Sequence, residues 1–273
     1  MMVSVLCTSA LVPGCSRKDA GGPAGSLVIA GSTALQPLVD QAAKQFMANN
    51  TRVQITVNGG GSGAGLTQVA EGSIDIGDSD IAAEEMPGVD ASKLVDHKVA
   101  VVGFAVVANP RVGVDNLTQR QLIDIFTGRL TNWKELGGAD QRIVVINRGK
   151  GSGTRAAFKQ WALRGNEEIE SMNVDSSGEV RQTVAATPGA ISYLAFSYLD
   201  DSVKVLNLDG VAPTVENVTS GRYPVWSYEH MYTKGDPGPL AKAFLDYILS
   251  DAVQKSLVTR LGYIPVADMQ VTR

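Results

Sequence analysis

Three times along this chain an apolar, strand-like run stops at Gly, Ser or Thr and resumes as a helical pattern. Residues 26–30 (SLVIA) end at Gly31-Ser32-Thr33, after which Leu35, Leu38, Val39, Ala42, Ala43, Phe46 and Met47 recur at three and four residues. That spacing predicts an amphipathic helix, with Ser32 or Thr33 as its natural cap and Pro37 tolerated in its first turn. Residues 52–57 alternate as a strand, run into Asn58-Gly59-Gly60-Gly61-Ser62-Gly63-Ala64-Gly65, and continue as a short helix through Leu66, Val69 and Ala70. Residues 142–147 lead into Arg148-Gly149-Lys150-Gly151-Ser152-Gly153-Thr154, followed by a helix marked by Ala157, Phe158, Trp161 and Ala162.

Each unit exposes the unpaired N–H groups that begin a helix, at the positive end of its dipole. Glycine lets a ligand approach the backbone, and Ser and Thr add hydroxyl donors. One such turn is an ordinary capped helix. Three in one chain, one carrying an arginine, suggest an oxyanion held by several helix N-termini.

Other anion sites do not fit. The phosphate-loop pattern fails because Gly149-Lys150 is followed by Gly151, and the dinucleotide pattern occurs only loosely at 59–65. The nucleophile elbow is broken by Ala64 beside Ser62 and by Lys150 beside Ser152. With two His and two Cys in 273 residues, metal sites and histidine-based triads are starved of material, and neither metal nor cofactor is expected. The formal charge of −4 argues against a nucleic-acid binder working through a broad basic surface.

Gly72-Ser73-Ile74-Asp75-Ile76-Gly77-Asp78-Ser79-Asp80 reads as a strand with acids on its way out. Asp80 would emerge at the strand's carboxyl end, where open α/β sheets bind ligands. It is either a solvated turn acid or a partner for an anion that carries a proton. An ionised carboxylate accepts a hydrogen bond from hydrogen phosphate, whereas fully ionised sulfate offers none and the two charges repel.

In order and spacing, Gly31-Ser32-Thr33, Gly60-Gly61-Ser62-Gly63, Ile74 to Asp80, and Arg148-x-x-x-Ser152-Gly153-Thr154 resemble the phosphate-binding lipoproteins of bacterial ABC phosphate importers. The resemblance runs from about Ser26 to the C-terminus. It implies an α/β, two-lobed periplasmic-binding-protein type II (Venus-flytrap) fold with a two-segment hinge, closing over inorganic phosphate and delivering it to ABC permease subunits. Carried over by position, Thr33, the Ala34 amide, Ser62 and Asp80 would face phosphate from one lobe, and Arg148, Ser152, Gly153 and Thr154 from the other. Asp80 would accept the phosphate proton and Arg148 would be the one buried cation. Lys150 departs from relatives that carry an acid there, paired with the site arginine; Arg155 is placed only near the rim.

Residues 1–14 carry no charge and have the length of a signal-peptide apolar region, ending at Cys15. This resembles a bacterial lipoprotein signal, which implies lipidation of Cys15 and an extracytoplasmic, membrane-anchored protein. A frayed terminus with two incidental cysteines is the plain alternative.

The expected division is signal and tether at 1–25, the first part of lobe 1 at 26–105, lobe 2 at 106–226 and a return segment of lobe 1 at 227–273. The apolar run 99–108 and the segment 223–229 are the expected crossovers. Trp133 reads as packing, residues 189–193 as a strand returning toward the site, and the pattern from Pro239 as a last amphipathic helix. A monomeric binding protein without catalysis is expected. The alternatives are a receptor for another tetrahedral oxyanion and, in a different class, a phosphate-ester or serine hydrolase using Ser62 or Ser152.

Overall fold

The computed structural model describes residues 22–273. Cys7, Cys15 and most of the signal and tether therefore lie outside the described residues. In chain order the elements are β1 (Gly25–Gly31), α1 (Gln36–Asn49), β2 (Val53–Asn58), α2 (Ser62–Glu71), β3 (Ile76–Ser79), β4 (Leu94–Ala108), β5 (Asn116–Leu117), α3 (Gln119–Phe126), β6 (Val144–Arg148), α4 (Gly153–Trp161), β7 (Met172–Val174), α5 (Ser177–Ala186), β8 (Ala190–Ala195), β9 (Lys204–Leu208), α6 (Val215–Thr219), β10 (Trp226–Lys234) and α7 (Pro239–Ile248). Short 3-10 turns fill several of the links.

The strands follow the order β2-β1-β3-β10-β4-β8-β6-β7, with β9 also on β4 and β5 on β9. β1 pairs in parallel with both β2 and β3, an arrangement that requires helical crossovers between the strands. The carboxyl ends of β1, β2 and β3 therefore open on the same side. A second parallel group joins β6 to β7 and β8.

β4 links the two groups by changing partner along its length. Residues 94–103 pair antiparallel with β10, whereas residues 104–108 pair with β8. The strand is buried from Val99 to Ala108, so its apolar run reflects cover on both faces rather than a half-exposed sheet. β10 returns beside it, between β4 and β3.

Local chemistry explains most boundaries. α1 buries Leu38, Val39, Ala42, Ala43 and Phe46, the expected apolar stripe. Its Phe46 ring meets Phe244 of α7 edge-on at 5.5 Å, which ties α7 to α1. The expected cap is displaced, since the helix proper begins at Gln36. Ser32 instead caps the turn before it, its Oγ accepting the N–H groups of Ala34 (3.0 Å) and Leu35 (3.1 Å). The strand expected across residues 72–80 is shorter than its pattern, because Gly72 takes a left-handed conformation that closes α2 and leaves only Ile76–Ser79 in the sheet. Trp133 is buried, with its indole N–H donating to the Gly189 carbonyl at 2.9 Å.

Candidate ligand-binding site

Residues far apart in sequence meet where the carboxyl ends of β1, β2 and β3 face those of β6 and β7. Ser32, Thr33, Ser62, Asp80, Arg148, Ser152, Thr154 and Ser177 are all at most 4% exposed. In an environment so poor in water, hydrogen bonds and charges are felt strongly.

Asp80 is the acceptor in this ring of donors. Its Oδ1 takes the Ser32 hydroxyl and its Oδ2 takes the Thr154 hydroxyl at 2.6 Å. Its own N–H donates to Ser62 Oγ at 3.1 Å. Ser62 opens α2, and Ser152 caps α4 by accepting the Arg155 N–H at 3.2 Å. The first turn of α2 and the loop before α4 touch directly, since the Gly63 N–H donates to the Gly151 carbonyl at 2.9 Å. Gly153 completes the contact, for any Cβ there would overlap the Ser62 hydroxyl and lie 3.1 Å from Asp80 Cβ.

Arg148 is the one Lys or Arg among the fully buried side chains of the described residues. The partners of its guanidinium are all neutral groups: Nη1 donates to Ser177 Oγ (3.2 Å), and Nη2 to Thr33 Oγ1 (3.2 Å) and the Asp175 carbonyl (3.0 Å). Nε has no partner. Burial draws the guanidinium below its usual value, while nearby Tyr193 and Asp80 oppose that shift. Lys150 is exposed on the loop just beyond Arg148.

The structure brings together Thr33, Ser62, Asp80, Arg148, Gly153 and Thr154. The Ala34 amide and Ser152 lie beside them but are engaged with Ser32 and with α4. Several contributors were not anticipated. Ser177 opens α5, and its N–H and Oγ both lie 3.2 Å from Thr33 Oγ1. The signal was available, because Ser176-Ser177-Gly178-Glu179 is the same kind of turn, and Ser176 Oγ does cap the helix. Tyr198 donates its hydroxyl to the Thr33 carbonyl at 2.7 Å, and burial pushes its phenol up to about 12. Arg155, expected near the rim, instead lies behind the site, donating to the Arg148 carbonyl (2.6 Å) and pairing with the buried Glu168 (2.7 Å). No local pattern distinguishes these last two from packing residues.

Chemically, the arrangement offers many donors, one cation and one carboxylate acceptor, with no histidine among its members. Fold and site together define a binding protein, and the chain belongs to the PBP superfamily, whose domain matches residues 18–252. It is 52% identical to the phosphate-binding protein PstS of Bacillus subtilis, over all of this chain and 93% of that one. Among solved structures it is similar to a Clostridium perfringens protein with bound phosphate, described as a phosphate ABC transporter substrate-binding protein. The TM-score is 0.83 at 36% identity, covering 89% of this chain and all of that one. A phosphate transport receptor from Vibrio cholerae matches with a TM-score of 0.68 at 28% identity, covering 87% and 99% of the two chains.

Proposed function

We propose that this protein captures inorganic phosphate between two lobes and delivers it to the permease of an ABC importer. The observation that carries the reading is Asp80, a buried carboxylate set among hydroxyl and amide donors from both strand groups. A site that served any anion would do better without that charge. An acceptor there favours an oxyanion that still holds a proton, and leaves sulfate facing an unpaired carboxylate. Arsenate, protonated like phosphate, is expected to bind.

Thr33, the Ala34 amide, Ser62 and Asp80 are assigned to one lobe of the ligand cage, and Arg148, Ser152, Gly153 and Thr154 to the other, with Ser177 added. Residues 26–105 and 227–273 would form the first lobe and residues 106–226 the second. The change of partner within β4 and the return of β10 support β4 and β10 as the hinge. Opening would separate the loop at 59–63 from that at 149–153, and closure would be the form the permease recognises.

Binding without catalysis fits a site with no placed general base for Ser62 or Ser152. The named relatives are binding and transport proteins. An extracytoplasmic location with a lipid anchor on Cys15 completes the reading. Among the described residues no helix is long and apolar enough to cross a membrane, so an anchor would have to come from elsewhere.

The test is calorimetric titration of the protein, unfolded and refolded to strip carried ligand, with phosphate and then sulfate. Stoichiometric binding of phosphate with no response to sulfate is expected. Equal binding of both would remove Asp80 from the selectivity argument. Steady hydrolysis of a chromogenic phosphate ester would favour the hydrolase instead.

A further inference from the structure

Three carboxyl groups are buried together: Asp78 and Asp80 at the end of β3, and Glu229 in β10. Asp80 has donors on both oxygens. Glu229 has none: the side chain is 0% exposed, and neither oxygen receives an N–H or O–H. It sits where the pairing of β10 with β4 is interrupted, between Glu229 and His230. The titratable groups that face it are Asp80 and Asp78 from β3 and the Tyr263 phenol from the C-terminal segment. Beyond Asp80, the cation of the site is Arg148.

A carboxylate so placed would be a buried charge without a donor, next to two more acids, and that is strongly unfavourable. The neutral acid is the form the surroundings accept. A neutral carboxyl carries an O–H that must in turn find an acceptor. Where β10 pairs antiparallel with β3, His230 lies opposite Ser79, so Glu229, the residue before it, is carried alongside Asp80, the residue after Ser79.

We propose that Glu229 is a positioning residue for the site: as a neutral acid it donates its O–H to Asp80. With the Ser32 and Thr154 hydroxyls it holds that carboxylate in place as the acceptor for a protonated oxyanion. The proposal rests on the reading of the site as one for phosphate. Three donors orient Asp80 and leave acceptor capacity for the ligand's proton. The acidic cluster then presents Asp80, and not Glu229, as its negative charge toward the ligand. Burial, Asp80 and Asp78 all push the Glu229 carboxyl well above the usual range, in keeping with this role. Ionising it at alkaline pH would place a second negative charge behind the ligand and weaken binding.

The experiment is phosphate titration of the wild type, Glu229→Gln and Glu229→Met between pH 6 and 9.5, with infrared spectra of the first two. The expected result is a loss of at least tenfold in phosphate affinity for Glu229→Met at neutral pH. Glu229→Gln, which keeps an N–H donor, rescues most of that loss and flattens the alkaline decline seen in the wild type. The wild-type minus Glu229→Gln spectrum shows the C=O stretch of a protonated carboxyl, which reports the state of Glu229 even if Glu229→Met does not fold. Identical affinities and pH profiles in all folded variants, or no such band, overturn the proposal. Failure of the wild type to bind phosphate at any pH overturns the reading of the site itself, and the proposal with it.

Discussion

Thr154 Oγ1 donates to Asp80 Oδ2 at 2.6 Å, joining residues 74 apart in sequence that begin or follow different strand–turn–helix units. A buried hydroxyl on a carboxylate is among the stronger neutral-to-charged hydrogen bonds. In this position it spans the two strand groups and holds the Asp80 carboxylate in place.

Asp80→Asn replaces an acceptor oxygen with a donor NH₂ and removes the charge. A hydrogen bond to a charged group contributes about 1.5–3 kcal/mol, so phosphate affinity should fall roughly 10- to 100-fold. Sulfate, no longer repelled, should lose nothing or gain. Calorimetry with both anions checks this, and a variant that retains wild-type preference would remove Asp80 from the site.

Gly153→Ala introduces a Cβ that would overlap the Ser62 hydroxyl and lie 2.9 Å from Ser62 Cβ. Alanine is a better helix former than glycine, so α4 itself has no reason to object. The conflict arises only where α4 meets Ser62 and Asp80. Overpacking of this kind costs about 1–3 kcal/mol. The expected outcome is weakened phosphate binding and a smaller phosphate-induced rise in Tm, with little change in Tm without ligand.

Asp78 and Glu229 make stability depend on pH. Burial, with Asp80 next, holds the Asp78 carboxyl well above its ordinary value of 3.8, and the Glu229 carboxyl is raised from 4.5. Across the range above those ordinary values the folded protein keeps protons that the unfolded chain releases. Stability therefore falls as pH rises from the ordinary range toward the raised folded values. Asp78→Asn should match the wild type near pH 4 and unfold at a higher temperature at pH 8. Parallel curves of Tm against pH would contradict this.

Arg273 stacks between two indoles, its Cζ 3.6 Å from the Trp161 ring centroid and 3.9 Å from that of Trp226. Its guanidinium also donates to the Trp226 and Pro224 carbonyls. Exposed cation–π contacts contribute about 0.5–1 kcal/mol each. Arg273→Ala should destabilise by about 1–2 kcal/mol in sum and lower Tm by about 2–4 °C. Arg273→Lys should recover little, because an ammonium cannot lie flat between two rings.

Much of the local structure was legible because it follows from local physics. The apolar periods of α1 and α4, the Gly-rich entry to α2 and the buried run of β4 need only neighbours in sequence to declare themselves. The same holds for Arg148 and Asp80 as candidates, since Arg148 ends β6 before a Gly/Ser turn and Asp80 directly follows β3. α5 was missed although its Ser176 cap and Glu179 are equally local. Its turn follows β7, only three residues long and largely exposed, which gives a weak strand signal.

By itself the sequence determined the strand–turn–helix units and the residue types at their mouths, because caps, glycine turns and hydrophobic periods act over a few residues. Which of those groups face one another was decided only by the tertiary structure. The parallel order of β1, β2 and β3, the change of partner within β4 and the return of β10 place Ser32 on Asp80, Ser177 on Thr33 and Glu229 alongside Asp80. Glu229 shows the limit most clearly. In sequence it is one acid in a strand, and what it can do depends on neighbours about 150 residues away that deny it both water and a donor.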